Sequence, residues 1–389
     1  MVDETAGAHP GGPVFVHVGL PKTGTTFLQR LLRDNRELLA EHGVRYPVRG
    51  PATMFHGAIE VREAYQTWGF SREQIGGTWE WLCQQAREHA GPTILGHEIL
   101  AAATRAQVER VATDLADVEL HLVVTTRDLG RQIPAWWQEW IKNQHGEGFT
   151  ETMERQILPG WDGEGRKSTF WRSQDLRGVL RRWSAAVPAE RMHVVTAPPP
   201  GSDPRELWRR FADATRVPAG LEVDPGPRSN ESLGITEVAL LRATNQALDG
   251  RLVQPHYGPV VKHWFAESVL SPRTSPRPQL PAEWRERVRE MTAAWRDYVE
   301  EAGVQVHGSL DDLEPTIAPD DVPGPDDVTA QQIAELAPRV MADMLLEVTR
   351  LRQEGQEARR ELAHAQQPRG ARRLVRRVLG GVKRRLTNR

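Results

Sequence analysis

Cysteine is almost absent from this chain of 389 residues, which carries Cys83 alone. A single thiol excludes an intramolecular disulfide framework and any cysteine-rich metal site, and its plainest role is that of a small buried apolar residue. Long apolar runs are missing too: no stretch reaches the ~20 residues needed to span a bilayer. No cluster of His, Asp and Glu shows metal-ligand spacing, so no metal is expected. Tyrosine is scarce, with four copies against thirteen tryptophans. Residues 1–13 carry acids and no apolar core, which excludes a secretory signal and reads as a disordered leader. The expectation from these absences is a reducing, cytoplasmic setting.

What remains is ordinary globular material. A hydrophobic content of 39% and a charged content of 26% fit one large domain or two smaller ones. The net charge of −2 hides an asymmetry. Residues 368–389 hold nine basic side chains and no acidic one, leaving 41 basic against 52 acidic in the rest. In that tail Leu374, Val375, Val378, Leu379 and Val382 lie opposite the arginines, with Gly380-Gly381 as an interruption. A basic amphipathic segment of this kind can lie on an anionic membrane surface. A solvated tail and nucleic-acid contact are the alternatives, and no specific nucleic-acid partner is expected.

Short apolar runs alternate with helical patterns. Strands are predicted at 14–19, 93–96, 119–125 and 191–196, and helices at 26–42, 79–89, 107–115, 134–143 and 174–186. Strands spaced by helices imply βαβ units and a parallel sheet covered on both faces, with ligands beyond the carboxyl ends of the strands. Further helices are predicted at 203–215, 236–248 and 282–303, closing a domain over 14–310. Residues 311–328, rich in Asp and Pro, read as an acidic linker, and 329–367 as a helical extension. There Ile333, Leu336, Val340, Met344, Leu345, Val348 and Leu351 approach a heptad seam, short and imperfect, that could join two copies of the chain.

The richest stretch is Val14-Phe15-Val16-His17-Val18-Gly19-Leu20-Pro21-Lys22-Thr23-Gly24-Thr25-Thr26. An apolar run enters a Gly/Pro/Lys/Thr turn. Phe27, Leu28, Leu31 and Leu32 then open an apolar stripe at helical spacing. Strand, tight loop and helix present backbone N–H groups and a helix N-terminus to an anion. A P-loop reads G-x-x-x-x-G-K-[ST]. Gly19 and Gly24 keep that spacing, but Thr25 stands where the lysine belongs and Lys22 lies inside the loop. The sequence Pro-Lys-Thr-Gly-Thr-Thr resembles the 5′-phosphosulfate loop of the sulfotransferase family, whose members use 3′-phosphoadenosine 5′-phosphosulfate (PAPS). An ordinary Gly-rich turn before a helix is the plain alternative.

The resemblance extends to Arg127-Asp128-Leu129-Gly130-Arg131-Gln132 and to Asn230-Glu231-Ser232-Leu233-Gly234, and is to bacterial members of the family. It implies an α/β fold, a P-loop-like three-layer sandwich with a central parallel sheet, here with a helical C-terminal extension. Pro21, Lys22, Thr23, Gly24, Thr25 and Thr26 would hold the 5′-phosphate, Lys22 would offset charge on the departing phosphate, and Phe27 would meet the adenine. Arg127 matches the family's 3′-phosphate arginine, for which a guanidinium fork is suited. The serine usual eight residues later is Ala135 here, leaving Arg131 or Gln132 to replace its hydroxyl. Arg228 and Ser229 match a late basic segment over the 3′-phosphate; otherwise Ser229 or Asn230 caps the next helix. Three residues qualify as the base: His97, Glu98 and His56.

The activity these residues imply is PAPS-dependent transfer of a sulfuryl group to a hydroxyl or amine of a glycan, glycolipid or small-molecule acceptor, with no metal. Trp136, Trp137, Trp140, Trp161 and Trp171 either stack on a flat acceptor or pack the core. Two rival readings stand beside it. A P-loop kinase or NTPase is disfavoured by the missing lysine after Gly24. A non-catalytic membrane- or partner-binding module is favoured by the basic tail and by Ala135.

Overall fold

The computed structural model describes residues 11–162, 168–218, 220–221, 223–224, 232–273 and 275–366. Arg228, Ser229 and the basic segment 368–389 therefore lie outside the described residues. The chain divides into two compact units, Met1–Thr329 and Ala330–Arg389.

The first unit is built on five parallel strands: β1 (Val14–His17), β2 (Thr93–Leu95), β3 (Leu120–Thr126), β4 (Met192–Thr196) and β5 (Gln305–His307). Every residue of the first four is buried, as a sheet covered on both faces requires. These four fall on the predicted apolar runs. β5 escapes that pattern because Gln-Val-His is short and only part-buried, and it forms the edge beside β4. The strand order is β2-β1-β3-β4-β5. The chain thus leaves β1 toward one edge and enters β3 on the other side. Right-handed crossovers then send the connecting helices to opposite faces, which opens a crevice at the carboxyl ends of β1 and β3.

Four helices matter for the site: α1 (Thr25–Asp34), α2 (Thr53–Arg62), α3 (Leu129–Lys142) and α4 (Glu206–Ala214). The predicted helix over 26–42 is divided at Asn35, whose side-chain amide donates to the Leu31 carbonyl at 2.9 Å and ends α1; a separate short helix, Arg36–Glu41, follows. α3 starts well before its predicted beginning because the buried Asp128 caps it, accepting from the Arg131 N–H at 3.0 Å.

Residues 311–327, read from composition as a linker, are fastened to the α/β unit. Leu313 and Ala318 are buried, and the Thr316 N–H donates to Asp128 Oδ1 at 3.0 Å. Asp326 accepts from the Phe149 and Thr150 N–H groups at 2.9 and 2.8 Å and pairs with Arg242 at 2.8 Å. Its charge is consumed in capping and pairing, which composition cannot reveal. The segment is a strap across the strand ends. At Gly130 it comes so close that a Cβ would sit 2.1 Å from the Thr316 carbonyl oxygen.

A row of histidines crosses the face of the sheet that also carries His17 and Thr125. His121 Nδ1 meets His193 Nε2 at 3.0 Å, and His193 Nδ1 meets His307 Nε2 at 3.0 Å. The row ends on Glu119, 2.5 Å from His121 Nε2, and on Asp213 of α4, 2.6 Å from His307 Nδ1.

The described part of the second unit is one helix, α5 (Ala330–Gln366), with Met341, Leu345, Leu346, Val348 and Leu351 exposed along it. No described helix is long and apolar enough to cross a membrane.

Candidate active site

The loops that follow β1, β2, β3 and β4 meet the strap around a cleft of about 710 Å³. Lys22, Arg127, Arg131, Lys142 and Arg277 bring five cationic side chains to its lining, against the carboxylates Glu98 and Glu139. A rim of this sign selects a multiply charged anion.

The β1 loop is shaped by left-handed residues. Lys22 has φ +72° and Gly24 φ +99°. Gly24 leads directly into α1, and a Cβ there would meet Leu207 at 2.5 Å. For Lys22 the same conformation costs about 1 kcal/mol. A one-way chain of hydrogen bonds fixes the loop from below. Thr23 Oγ1 donates to the Leu20 carbonyl at 2.6 Å, so at 2.8 Å it accepts from Thr125, which in turn accepts from His17 Nε2 at 3.1 Å. Burial pushes the His17 imidazole down to about 4, so it is neutral at pH 7 and its one hydrogen stands on Nε2. The Thr23 hydroxyl therefore faces inward, and only the backbone there is left for a ligand.

Arg127 stands at the end of β3. Its Nη1 donates to the Lys22 carbonyl at 3.4 Å, and its buried Nε has no partner among the described residues. Burial, then the charges of Arg131 and Arg277, push its pKa down to about 10 despite Asp128, so it stays charged at neutral pH. A buried guanidinium with an unused donor is suited to an anion. Arg131 lines the same cleft, but its guanidinium is engaged by Asp128 and by the Pro198 carbonyl at 3.1 Å.

Ala135 lines the cleft with no hydroxyl to offer. Gln132 does not replace it, being fully buried and bonded to Gln174. One helical face of α3 instead carries Arg131, Ala135, Gln138, Glu139 and Lys142 into the cleft. Glu139 is the hub. Its Oε2 accepts from Lys22 Nζ at 2.6 Å, while Oε1 accepts from Lys262 Nζ at 2.5 Å and Asn143 Nδ2 at 3.1 Å. Burial alone would raise the Glu139 pKa, but the two ammonium groups reverse this and hold it far below the carboxylate range. Neither Glu139 nor Lys262 stood out in the sequence. The one available signal for Glu139 was its spacing from Arg131 and Ala135 on an otherwise apolar helix.

The three residues considered as the base face different surroundings, although His97 Nε2 stands 3.7 Å from Glu98 Oε2. Glu98 lines the cleft, and its Oε2 accepts from Gln29 Nε2 at 2.9 Å. Burial opposes its ionisation, but His97 and hydrogen bonds from its own backbone, Gln29 and Thr25 prevail and lower its pKa. His97 lines a different, small cavity of about 60 Å³ with Tyr46 and Phe55. Burial lowers its pKa against the pull of Glu98, and its Nδ1 accepts from the Ile99 N–H at 3.3 Å. His56 sits on α2 against Phe55 and Phe70 and lines neither cavity; burial keeps it neutral. Thr25 and Thr26 line the cleft with Lys22 and Gly24, whereas Pro21, Thr23 and Phe27 do not.

Four of the five tryptophans pack against neighbouring rings. Trp137 and Trp171 are fully buried. Trp136 stacks on Trp140 at 5.0 Å, and Trp140 on His145 at 3.3 Å. Among the described residues no group of three or more His, Cys, Asp or Glu is placed to hold a metal ion.

No protein-family model and no curated protein matches the chain. A solved structure of a sulfotransferase from Alicyclobacillus acidocaldarius is similar at 12% identity and a TM-score of 0.38, covering 63% of this chain and 97% of the other. At that level it assigns no role to any residue here.

Proposed function

We propose that this protein is a sulfotransferase that draws its sulfuryl group from PAPS and passes it to a hydroxyl or amine of a glycan, glycolipid or small-molecule acceptor. One observation carries the reading. The Lys22 loop and the Arg127 guanidinium, whose Nε has no partner among the described residues, meet in a single cationic cleft at the reversal point of a parallel sheet. Two anion sites of different kind suit a donor with phosphates at both ends of one ribose. The β1 loop amides and α1 N-terminus would hold the 5′-phosphosulfate, and Arg127 the 3′-phosphate.

Sulfuryl transfer, like phosphoryl transfer, depends on positioning and on charge stabilisation where charge develops. Lys22 supplies the mobile ammonium for the phosphate oxygen that gains charge as the S–O bond breaks. Gln138, fixed by the Leu233 N–H at 3.0 Å, borders the space left open by Ala135. A carboxylate of the cleft accepts the acceptor's proton.

Thermal stabilisation by 3′-phosphoadenosine 5′-phosphate (PAP), with ATP–Mg²⁺ alongside, tests the reading. A clear upward shift with PAP alone is expected, and Lys22→Ala should lower sulfuryl transfer about 10²–10³-fold with the fold retained. A shift with ATP–Mg²⁺ alone would point to a kinase or NTPase instead. No shift with either ligand would favour a non-catalytic module.

A further inference from the structure

We propose that Glu139 is the general base of this reaction, uncovered when Lys22 leaves it for the donor. The proposal rests on the sulfotransferase reading above and deepens it. Lys22 Nζ is 2.6 Å from Glu139 Oε2, so whatever sulfonate Lys22 attends lies within one contact of that oxygen. Glu98 has no such link to Lys22, and its Oε2 is occupied by Gln29.

The two oxygens of Glu139 are unequally held. Oε1 is fixed by Lys262 and Asn143, which orient the carboxylate from α3 and from the segment Gly258–Leu270. Oε2 is engaged by Lys22 alone among the contacts described. When Lys22 turns to the phosphosulfate, Oε2 opens toward the acceptor, and the carboxylate loses one of its two cationic neighbours. Its proton affinity then rises, because burial now acts against a single ammonium. The base is thus weak while the cleft is empty and strengthens as the donor arrives.

The transfer balances as follows. The acceptor O–H bond breaks and its proton goes to Glu139 Oε2. The acceptor oxygen forms a bond to sulfur, and the bridging S–O bond breaks with its electron pair leaving on the 5′-phosphate. Lys22 stabilises that charge, and Lys262 keeps Glu139 oriented throughout.

Full-length protein labelled with ¹³C at the glutamate carboxyl carbons provides the test, the Glu139 resonance being assigned by its loss in Glu139→Gln. In the free protein this carboxyl should titrate below the usual carboxylate range, and PAP binding should move its midpoint upward by at least one pH unit. Hydrolysis of PAPS, with water as acceptor, gives a second readout. Glu139→Gln should slow sulfate release about 10²-fold or more while PAP affinity holds within a few-fold. Lys262→Met should move the acid limb of the pH profile to higher pH. An unmoved Glu139 resonance with PAP bound, or a Glu98→Gln variant that loses turnover while Glu139→Gln keeps it, overturns the assignment and leaves the donor site standing. Failure of PAP to bind the wild-type protein overturns the donor site itself, and Glu139 with it.

Discussion

Replacing Arg127 by methionine should make the protein more stable and a worse binder of PAP. Its guanidinium is held at about 10 against an ordinary 12.5, a penalty of about 3 kcal/mol for keeping the charge in place at neutral pH. Because the folded value is the lower one, the penalty is complete below pH 10 and vanishes only above pH 12.5. Methionine of similar length removes it and forfeits the bond to the Lys22 carbonyl, about 1 kcal/mol. The balance is a gain of about 2 kcal/mol, or a Tm rise of roughly 2–5 °C in the absence of ligand. Binding should respond in the opposite sense. A charge-assisted contact to the 3′-phosphate contributes about 1.5–3 kcal/mol, so the Kd for PAP should rise ~10–150-fold. Adenosine 5′-phosphosulfate, which lacks the 3′-phosphate, should change less than about 3-fold. Isothermal titration calorimetry with both ligands and scanning fluorimetry read all three quantities. Equal weakening toward both ligands would place Arg127 elsewhere than at a 3′-phosphate, and a lower Tm with PAP affinity kept would make it a structural residue.

Two further outcomes follow from buried groups and close approach. His17 and His193 are pushed by burial to about 4 and about 3, whereas the unfolded chain takes up these protons near 6.5. Stability should therefore be complete above about pH 6.5 and fall as pH drops toward 4, by about 2 kcal/mol per histidine at pH 5. Tm against pH should show this, with His17→Gln, which keeps a donor for Thr125, flattening the slope; a Tm unchanged between pH 7 and 5 would refute it. Gly130→Ala would thrust a methyl against the Thr316 carbonyl and lift the strap from Asp128, at about 1–3 kcal/mol. Urea unfolding should show a lower midpoint, and PAP should bind more weakly because Thr316 lines the cleft; an unaltered midpoint would mean that the strap is not seated there.

Sequence reading reached the sheet because its central strands are continuous apolar runs, and it reached the Lys22 and Arg127 loops because each follows such a run. It did not reach β5, whose three residues carry no apolar pattern, or the strap, whose Asp and Pro content reads as solvent-loving while Leu313 and Ala318 anchor it. At the site the limits are of another kind. His97 and Glu98 are neighbours in the chain, yet one faces a small separate cavity and the other the cleft, a divergence set by the extended backbone at His97. Glu139 looks like one more charged residue on a helix until tertiary structure brings Lys22 and Lys262, distant in sequence, to its two oxygens.

The histidine row has an arithmetic of its own. From Glu119 to Asp213 there are four contacts, and with one hydrogen on each of the three rings only three N–H groups serve them. In that arrangement one contact lacks a hydrogen, and the vacancy is least unfavourable between two rings, where no carboxylate is left facing a lone pair. His121 then donates to Glu119 and His307 to Asp213, and the single proton of His193 serves either β3 or β5, never both. The two distances are equal at 3.0 Å, and a second proton on His193 is resisted down to about pH 3. The edge of the sheet therefore has two tautomeric bonding patterns at nearly the same geometry, distinguished by which nitrogen of one buried ring carries its hydrogen.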